Sequence, residues 1–240
     1  MRLLMRFCGS FLRDGGGGAG SGARSMREIL IATSNAGKLR DFAAAAASFQ
    51  IAVAPVAHLG SLPAVREDAP TLEANACKKA EHYSRFAPGH YVLADDSGLE
   101  VEALQGAPGV HSARFAAALA GDNASDAANN ARLLHALADT PNAQRAAKFV
   151  CCLAVARDGR TVVCFRGDAR GTILRAPRGQ GGFGYDPLFW LPEAGKSFAE
   201  LSAEEKAAIS HRGQAFRKFL RWFASQSDPA AASPAARRLG

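Results

Sequence analysis

The chain has 240 residues, 48% of them hydrophobic and 21% charged, with a formal net charge of +7. It holds no run of about 18 apolar residues, the length a membrane-spanning helix needs, so no membrane partner is expected. The charge is concentrated at the ends, and the body from residue 26 to 228 carries 23 basic against 21 acidic side chains, too even a balance for a nucleic-acid footprint, so no nucleic-acid partner is expected either.

The first 25 residues set Arg2, Arg6, Arg13 and Arg24 around a Gly run, Gly15 to Gly18, without periodicity. They read as a disordered extension, or as an over-long start with Met26 as the natural first residue. Residues 26–226 are expected to form a single domain and 227–240, with Pro229 and Pro234, a disordered tail. The cysteines are Cys8, Cys77, Cys151, Cys152 and Cys164. An odd number with no Cys-x-x-Cys suggests reduced thiols and a cytoplasmic protein.

Ile29-Leu30-Ile31-Ala32 reads as a strand and Gly37 to Phe49 as a helix rich in Ala. Between them lies Thr33-Ser34-Asn35-Ala36-Gly37-Lys38. A strand, a polar turn and a helix N-terminus bring backbone N–H groups and one ammonium to one place, which suits phosphate. The loop is not a Walker A sequence: Ala32 stands where the first Gly belongs, and Leu39 follows the Lys.

Ile51 to Val56 reads as a second strand. Glu67-Asp68 follows in a polar loop; Mg2+ takes one or two carboxylates plus substrate phosphates, and Glu67 with Asp96 would suit it, although the local sequence by itself favours a charged surface loop. Thr71 to Phe86 reads as a helix capped by Thr71 and stopped at Ala87-Pro88-Gly89. Tyr91 to Ala94 reads as a short buried strand running into Asp95-Asp96-Ser97-Gly98. Carboxylates at the C-terminal end of a strand sit where α/β folds place their sites, and neighbouring side chains point to opposite faces. A solvated turn would also use these residues.

Ser125 to Ala138 reads as a helix, and Phe149–Ala156 with Thr161–Phe165 as a hairpin turning at Asp158-Gly159. Arg166 to Leu174 can continue that sheet. Gly179-Gln180-Gly181-Gly182-Phe183-Gly184-Tyr185-Asp186 allows a ligand close to the backbone, with Phe183 and Tyr185 offering flat faces for a base. Ser202-x-x-Glu205 is a capping box for a short helix. Lys206, His211 and Arg212 supply donors for phosphates or purine edges around the start of the last helix. That helix carries a core stripe, Phe216, Phe219, Leu220 and Phe223. Early alternation of strands and helices followed by a hairpin predicts a mixed α/β sheet flanked by helices.

Taken in order, Thr33 to Lys38, Ala94-Asp95-Asp96-Ser97-Gly98-Leu99, Gly106 to Arg114, Gly182-Phe183-Gly184-Tyr185-Asp186-Pro187 and Ser210-His211-Arg212-Gly213-Gln214-Ala215 resemble the inosine triphosphate pyrophosphatase family. The resemblance runs from about Met26 to Ser225. It departs at Ser34, commonly Gly, and at Ala74-Asn75-Ala76, where Glu precedes the Asn-Ala pair in the family and stands one place earlier here, as Glu73. It implies an elongated mixed sheet with the site in a cleft between two lobes, a homodimer and a Mg2+ requirement. The implied reaction takes deaminated purine nucleoside triphosphates (ITP, dITP and XTP) to the monophosphate and pyrophosphate. Thr33, Ser34, Asn35, Ala36, Gly37 and Lys38 would contact the triphosphate. Asp96 would accept the proton and bind metal, with Glu67 as the second metal candidate. Ser97, Phe183, Gly184, Tyr185, Asp186, Lys206, His211 and Arg212 would bind the nucleotide. Two rivals stand beside this reading: a pyrophosphatase for other modified bases, and a nucleotide-binding module without catalysis.

Overall fold

The structure is a computed structural model that describes residues 28–47, 49, 51–117 and 123–226. The expected extension at 1–25 lies outside these residues, and so does all of the expected tail, 227–240.

Seven strands form one sheet in the order β2-β1-β3-β4-β5-β6-β7. β1 (Glu28–Ile31) leads through the polar loop into α1 (Ala36–Ala47) and then β2 (Ala52–Pro55), which lies parallel to β1. α2 (Leu72–Ser84) returns the chain to β3 (Val92–Val101), also parallel to β1. From β3 onward every pairing is antiparallel, through β4 (Ala146–Arg157), β5 (Arg160–Ile173), β6 (Phe189–Leu191) and β7 (Lys196–Ser197). α3 (Asp126–Ala136), α4 (Ala203–Ile209) and α5 (His211–Ser225) complete the α-helices of the described residues. The expected mixed sheet flanked by helices is therefore present.

Alternation along β3 and β4 divides the core. Leu93, Cys151, Leu153 and Val155 face α1 and α5, packing on Phe42, Phe216, Phe219 and Leu220. Val92, Ala94, Val150, Cys152 and Ala154 face α2 through Leu72, Ala76 and Ala80. A third cluster lies farther along the sheet, where Leu99, Phe149, Ile173 and Phe189 meet Leu133 of α3. Each large side chain buried this way contributes about 1.5–3 kcal/mol. The hairpin turns where expected: Asp158 (φ 51°) and Gly159 (φ 81°) both lie in the left-handed region, as a two-residue primed turn requires.

Three expectations change. α1 ends at Ala47 rather than Phe49. β6 and β7 are too short to show in the sequence. Most importantly, β3 does not stop at Ala94: it continues to Val101, so Asp95 and Asp96 lie inside the strand, not at its end. β4 pairs with all of β3, and this ladder overrides the turn preference of Asp-Ser-Gly. β1 accompanies β3 only as far as Leu93. Beyond that point the pair with β1 ends, and a cleft begins at the reversal from parallel to antiparallel pairing.

Candidate active site

The cleft has a volume of about 850 Å3 and is lined by the loop after β1, the 64–69 segment, the two Asp of β3, the Phe183 loop and the start of α5. The β1–α1 loop is self-supporting. Thr33 Oγ1 accepts the Asn35 N–H at 3.2 Å, and Asn35 Oδ1 accepts the Lys38 N–H at 3.1 Å, so Asn35 caps α1. The N–H groups of Ala36 and Gly37 belong to the first helical turn, which has no intrahelical acceptor for them. Gly37 is required by space: a Cβ there would lie 2.5 Å from Cδ1 of the Phe183 ring.

Asp95 and Asp96 point to opposite faces, as the strand period demands. Asp95 turns toward α1 and α5. Its Oδ2 accepts from Lys38 Nζ at 3.0 Å, Ser97 Oγ at 3.0 Å and Arg212 Nη2 at 3.4 Å. Burial would raise its carboxyl, but Lys38, Arg212 and Lys79 outweigh burial and hold it well below the usual carboxylate range. Asp95 is thus a fixed anion that positions Lys38 and Arg212, while its Oδ1 is buried without a partner among the described residues.

Asp96 turns toward α2. Its Oδ2 accepts from Asn75 Nδ2 at 3.0 Å, and its Oδ1 accepts the Ser97 N–H at 3.1 Å and lies 3.8 Å from Lys79 Nζ. Burial pushes its carboxyl above the usual range; Lys79 and Lys38 oppose this and Glu67 adds to it. Lys79 donates to Glu67 Oε2 at 2.9 Å, so one ammonium stands between the two carboxylates. Burial would lower the Lys79 ammonium, yet Asp96, Glu67 and Asp95 raise it, and it stays charged. Asn75 also accepts the Ala69 N–H on Oδ1 at 2.9 Å, which ties the Glu67 loop to the helix that orients Asp96. Glu67 is reached from the other side as well, since Arg114 Nη2 donates to its backbone carbonyl at 3.0 Å.

This donor set can be weighed against a metal. Among the described residues no three His, Cys, Asp or Glu side chains gather as a metal cage. Two carboxylates converging on one cation, open to the cleft, fit Mg2+, which takes few protein ligands and relies on substrate phosphates for the rest.

On the opposite wall the Phe183 loop is locked from behind. Asp186 Oδ2 accepts the Phe183 N–H at 2.8 Å and Lys206 Nζ at 2.6 Å. Burial raises the Asp186 carboxyl against the pull of Lys206. Gly184 N–H donates to Asp126 Oδ2 at 2.7 Å and Asn130 Nδ2 donates to the Gly184 carbonyl at 3.0 Å, fixing the loop to α3. Tyr185 is buried, with its hydroxyl on the Ser112 carbonyl at 2.8 Å, and serves as framework as much as wall. The Phe183 ring lies 4.7 Å from Lys206 Nζ and 5.5 Å from the Arg212 guanidinium carbon.

Arg212 is 2% exposed and fixed by Asp41 at 2.7 Å, Asp95 at 3.4 Å and Ser97 at 3.2 Å. His211, equally buried, stacks on Phe149 with centroids 4.7 Å apart. Burial, then Arg212 and Lys206, push its imidazolium well below the ordinary range, so it is neutral at pH 7. Of the site residues expected from the sequence, Thr33, Ser34, Asn35, Lys38, Glu67, Asp96, Ser97, Phe183, Gly184, Tyr185, Asp186, His211 and Arg212 line this cleft, Gly37 and Lys206 lie against Phe183, and Ala36 is exposed at the start of α1. Sequence reasoning missed Asp41, Asn75, Lys79 and Phe149. The signal for the first three was helical spacing: Asp41 lies three residues after Lys38, and Lys79 four after Asn75.

A sequence model of the Ham1 family matches residues 29–222. The chain is 50% identical over 193 residues to the dITP/XTP pyrophosphatase of Geobacillus kaustophilus, covering 80% of this chain and 92% of that one. It is 49% identical over 197 residues to the dITP/XTP pyrophosphatase of Ralstonia nicotianae, covering 81% and 96%. The solved Ham1 protein of Staphylococcus aureus superposes with a TM-score of 0.70 at 39% identity, over 83% of this chain and all of that one. That of Coxiella burnetii gives 0.71 at 38%, over 83% and 99%.

Proposed function

The chain belongs to the Ham1 family, and from that membership and the cleft we propose how it works as a nucleoside-triphosphate pyrophosphatase on deaminated purines. It hydrolyses ITP, dITP and XTP to the monophosphate and pyrophosphate, which clears them from the nucleotide pool. The observation that supports this best is the pairing of two unlike walls: Asp96 with Glu67 and Lys79 on the α2 side, and Lys38 with the α1 N-terminus, Phe183, Lys206, His211 and Arg212 on the α1–α5 side.

Release of pyrophosphate requires attack on the α-phosphorus. Asp96 takes the proton of the attacking water. Burial makes it a stronger base than an exposed carboxylate, and the Asn75 and Ser97 donors fix its plane. Lys38 and the first-turn amides of α1 hold the phosphates, with Asp95 keeping the ammonium in place. Asp96 and Glu67 would hold Mg2+, which neutralises phosphate charge and polarises the phosphoryl oxygens. The purine lies against Phe183. Donors from the His211-Arg212 segment match the 6-oxo group of hypoxanthine, whereas the amino group of adenine leaves them unpaired, at about 1–3 kcal/mol for each buried unsatisfied group. We further propose a homodimer in the cytoplasm. Among the described residues no helix is long and apolar enough to cross a membrane.

The test compares pyrophosphate release from ITP, XTP, GTP and ATP with Mg2+. Fast release from ITP and XTP is expected. Equal rates on ATP and ITP would remove the base selectivity, and no release from any triphosphate would remove the activity. Sedimentation at micromolar protein checks the dimer.

A further inference from the structure

α2 presents two different stripes. Asn75 and Lys79 face Asp96 and Glu67 in the cleft. Cys77, Glu81 and Ser84 face the β4–β5 hairpin instead. Glu81 Oε1 accepts the Thr161 N–H at 3.2 Å and its hydroxyl at 2.8 Å, and Ser84 Oγ accepts the Gly159 N–H at 2.9 Å. The third member, Cys77, places its Sγ 3.3 Å from Sγ of Cys164 on β5. Both are free thiols, and both are partly accessible. Cys77 also borders a second groove of about 760 Å3, between the start of α2 and the 105–111 segment, which gives it a route to small solutes.

We propose that Cys77 and Cys164 are a redox modification site, closed to a disulfide by hydrogen peroxide, which staples α2 to the hairpin while leaving the cleft intact. Peroxide first oxidises Cys77: its sulfur attacks one peroxide oxygen, the O–O bond breaks, and sulfenic acid and water result. The Cys164 sulfur then attacks the sulfenic sulfur; the S–S bond forms, the S–O bond breaks, and the departing hydroxide leaves with the Cys164 proton as a second water. Two thiols thus lose two electrons and two protons to one peroxide. The order follows from placement: Cys77 faces the groove, while Cys164 lies behind it on β5, where burial and the Cys77 contact push its thiol up to about 12 and so disfavour its own attack on peroxide. Cys152 borders the same groove but is buried in β4, and burial pushes its thiol up to about 11.

A disulfide bond is about 2.05 Å long, so the sulfurs need approach by only roughly 1.3 Å, within reach of side-chain rotation. The Asn75–Lys79 stripe points elsewhere and keeps its bonds. The full chain, purified reduced, is treated with stoichiometric hydrogen peroxide, blocked and mapped by mass spectrometry without reduction. A Cys77–Cys164 linked peptide is expected, absent from Cys77→Ser and Cys164→Ser. The oxidised protein should melt roughly 5–10 °C higher than the reduced one, with pyrophosphate release unchanged within about twofold. Linkage through Cys8, Cys151 or Cys152, sulfinic acid at Cys77 in place of a cross-link, or a cross-link that leaves the melting temperature unchanged or lowers turnover more than about twofold would overturn the proposal.

Discussion

Asp95 and Asp96 are adjacent and chemically alike, yet their surroundings separate them. Three cations and a hydroxyl group hold Asp95 ionised, whereas burial leaves Asp96 the more basic of the two. Replacing Asp96 by Asn should lower kcat by about 10²–10⁴ with the melting temperature little changed, measured by pyrophosphate release from ITP. Asn75→Asp separates the two bonds of that side chain. The new carboxylate still accepts the Ala69 N–H but no longer donates to Asp96. We expect kcat to fall about tenfold or more while KM changes little; a fall confined to KM would place Asn75 in binding instead. The sequence displayed Asp96 and Glu67 but not the residues that aim them. Asn75 and Lys79 are ordinary polar positions on a helix until β3 is laid beside it.

At the scale of elements, α1 and the Phe183 loop meet through Gly37, and here propensity and function oppose each other. Gly37→Ala should favour the helix, where Ala is better than Gly by about 1 kcal/mol. The added methyl would nevertheless collide with the Phe183 ring. We predict a melting temperature that is unchanged or higher, with KM for ITP raised about tenfold. A KM equal to that of the parent would show that Phe183 moves aside without cost. Most elements were readable beforehand because hydrophobic period, Thr71 as a cap, and the Asp158-Gly159 turn are local signals. The length of β3 was not. Asp-Asp-Ser-Gly has the local chemistry of a turn, and only ten paired positions with β4 hold it extended.

For the molecule as a whole, the buried charges make stability depend on pH. His211 is neutral in the fold and has its pKa depressed well below the unfolded value of 6.5. Below about pH 6.5 the unfolded chain therefore binds a proton that the folded chain refuses, and stability falls with falling pH. The raised carboxyls of Asp96 and Asp186 act in the opposite direction, so the prediction is a difference. Between pH 7.5 and 5.5 the parent should lose more melting temperature than His211→Phe, followed by thermal denaturation at matched ionic strength. Parallel slopes would mean that His211 becomes protonated without unfolding. The sequence by itself determined the order of the longer elements and the family, because these rest on local spacing and on motifs read in order. Tertiary structure alone decided what orients Asp96, what holds Lys38 and Arg212, and that Cys77 meets Cys164. Those facts depend on burial and on contacts between residues as many as 171 positions apart, and a single dimension does not record them.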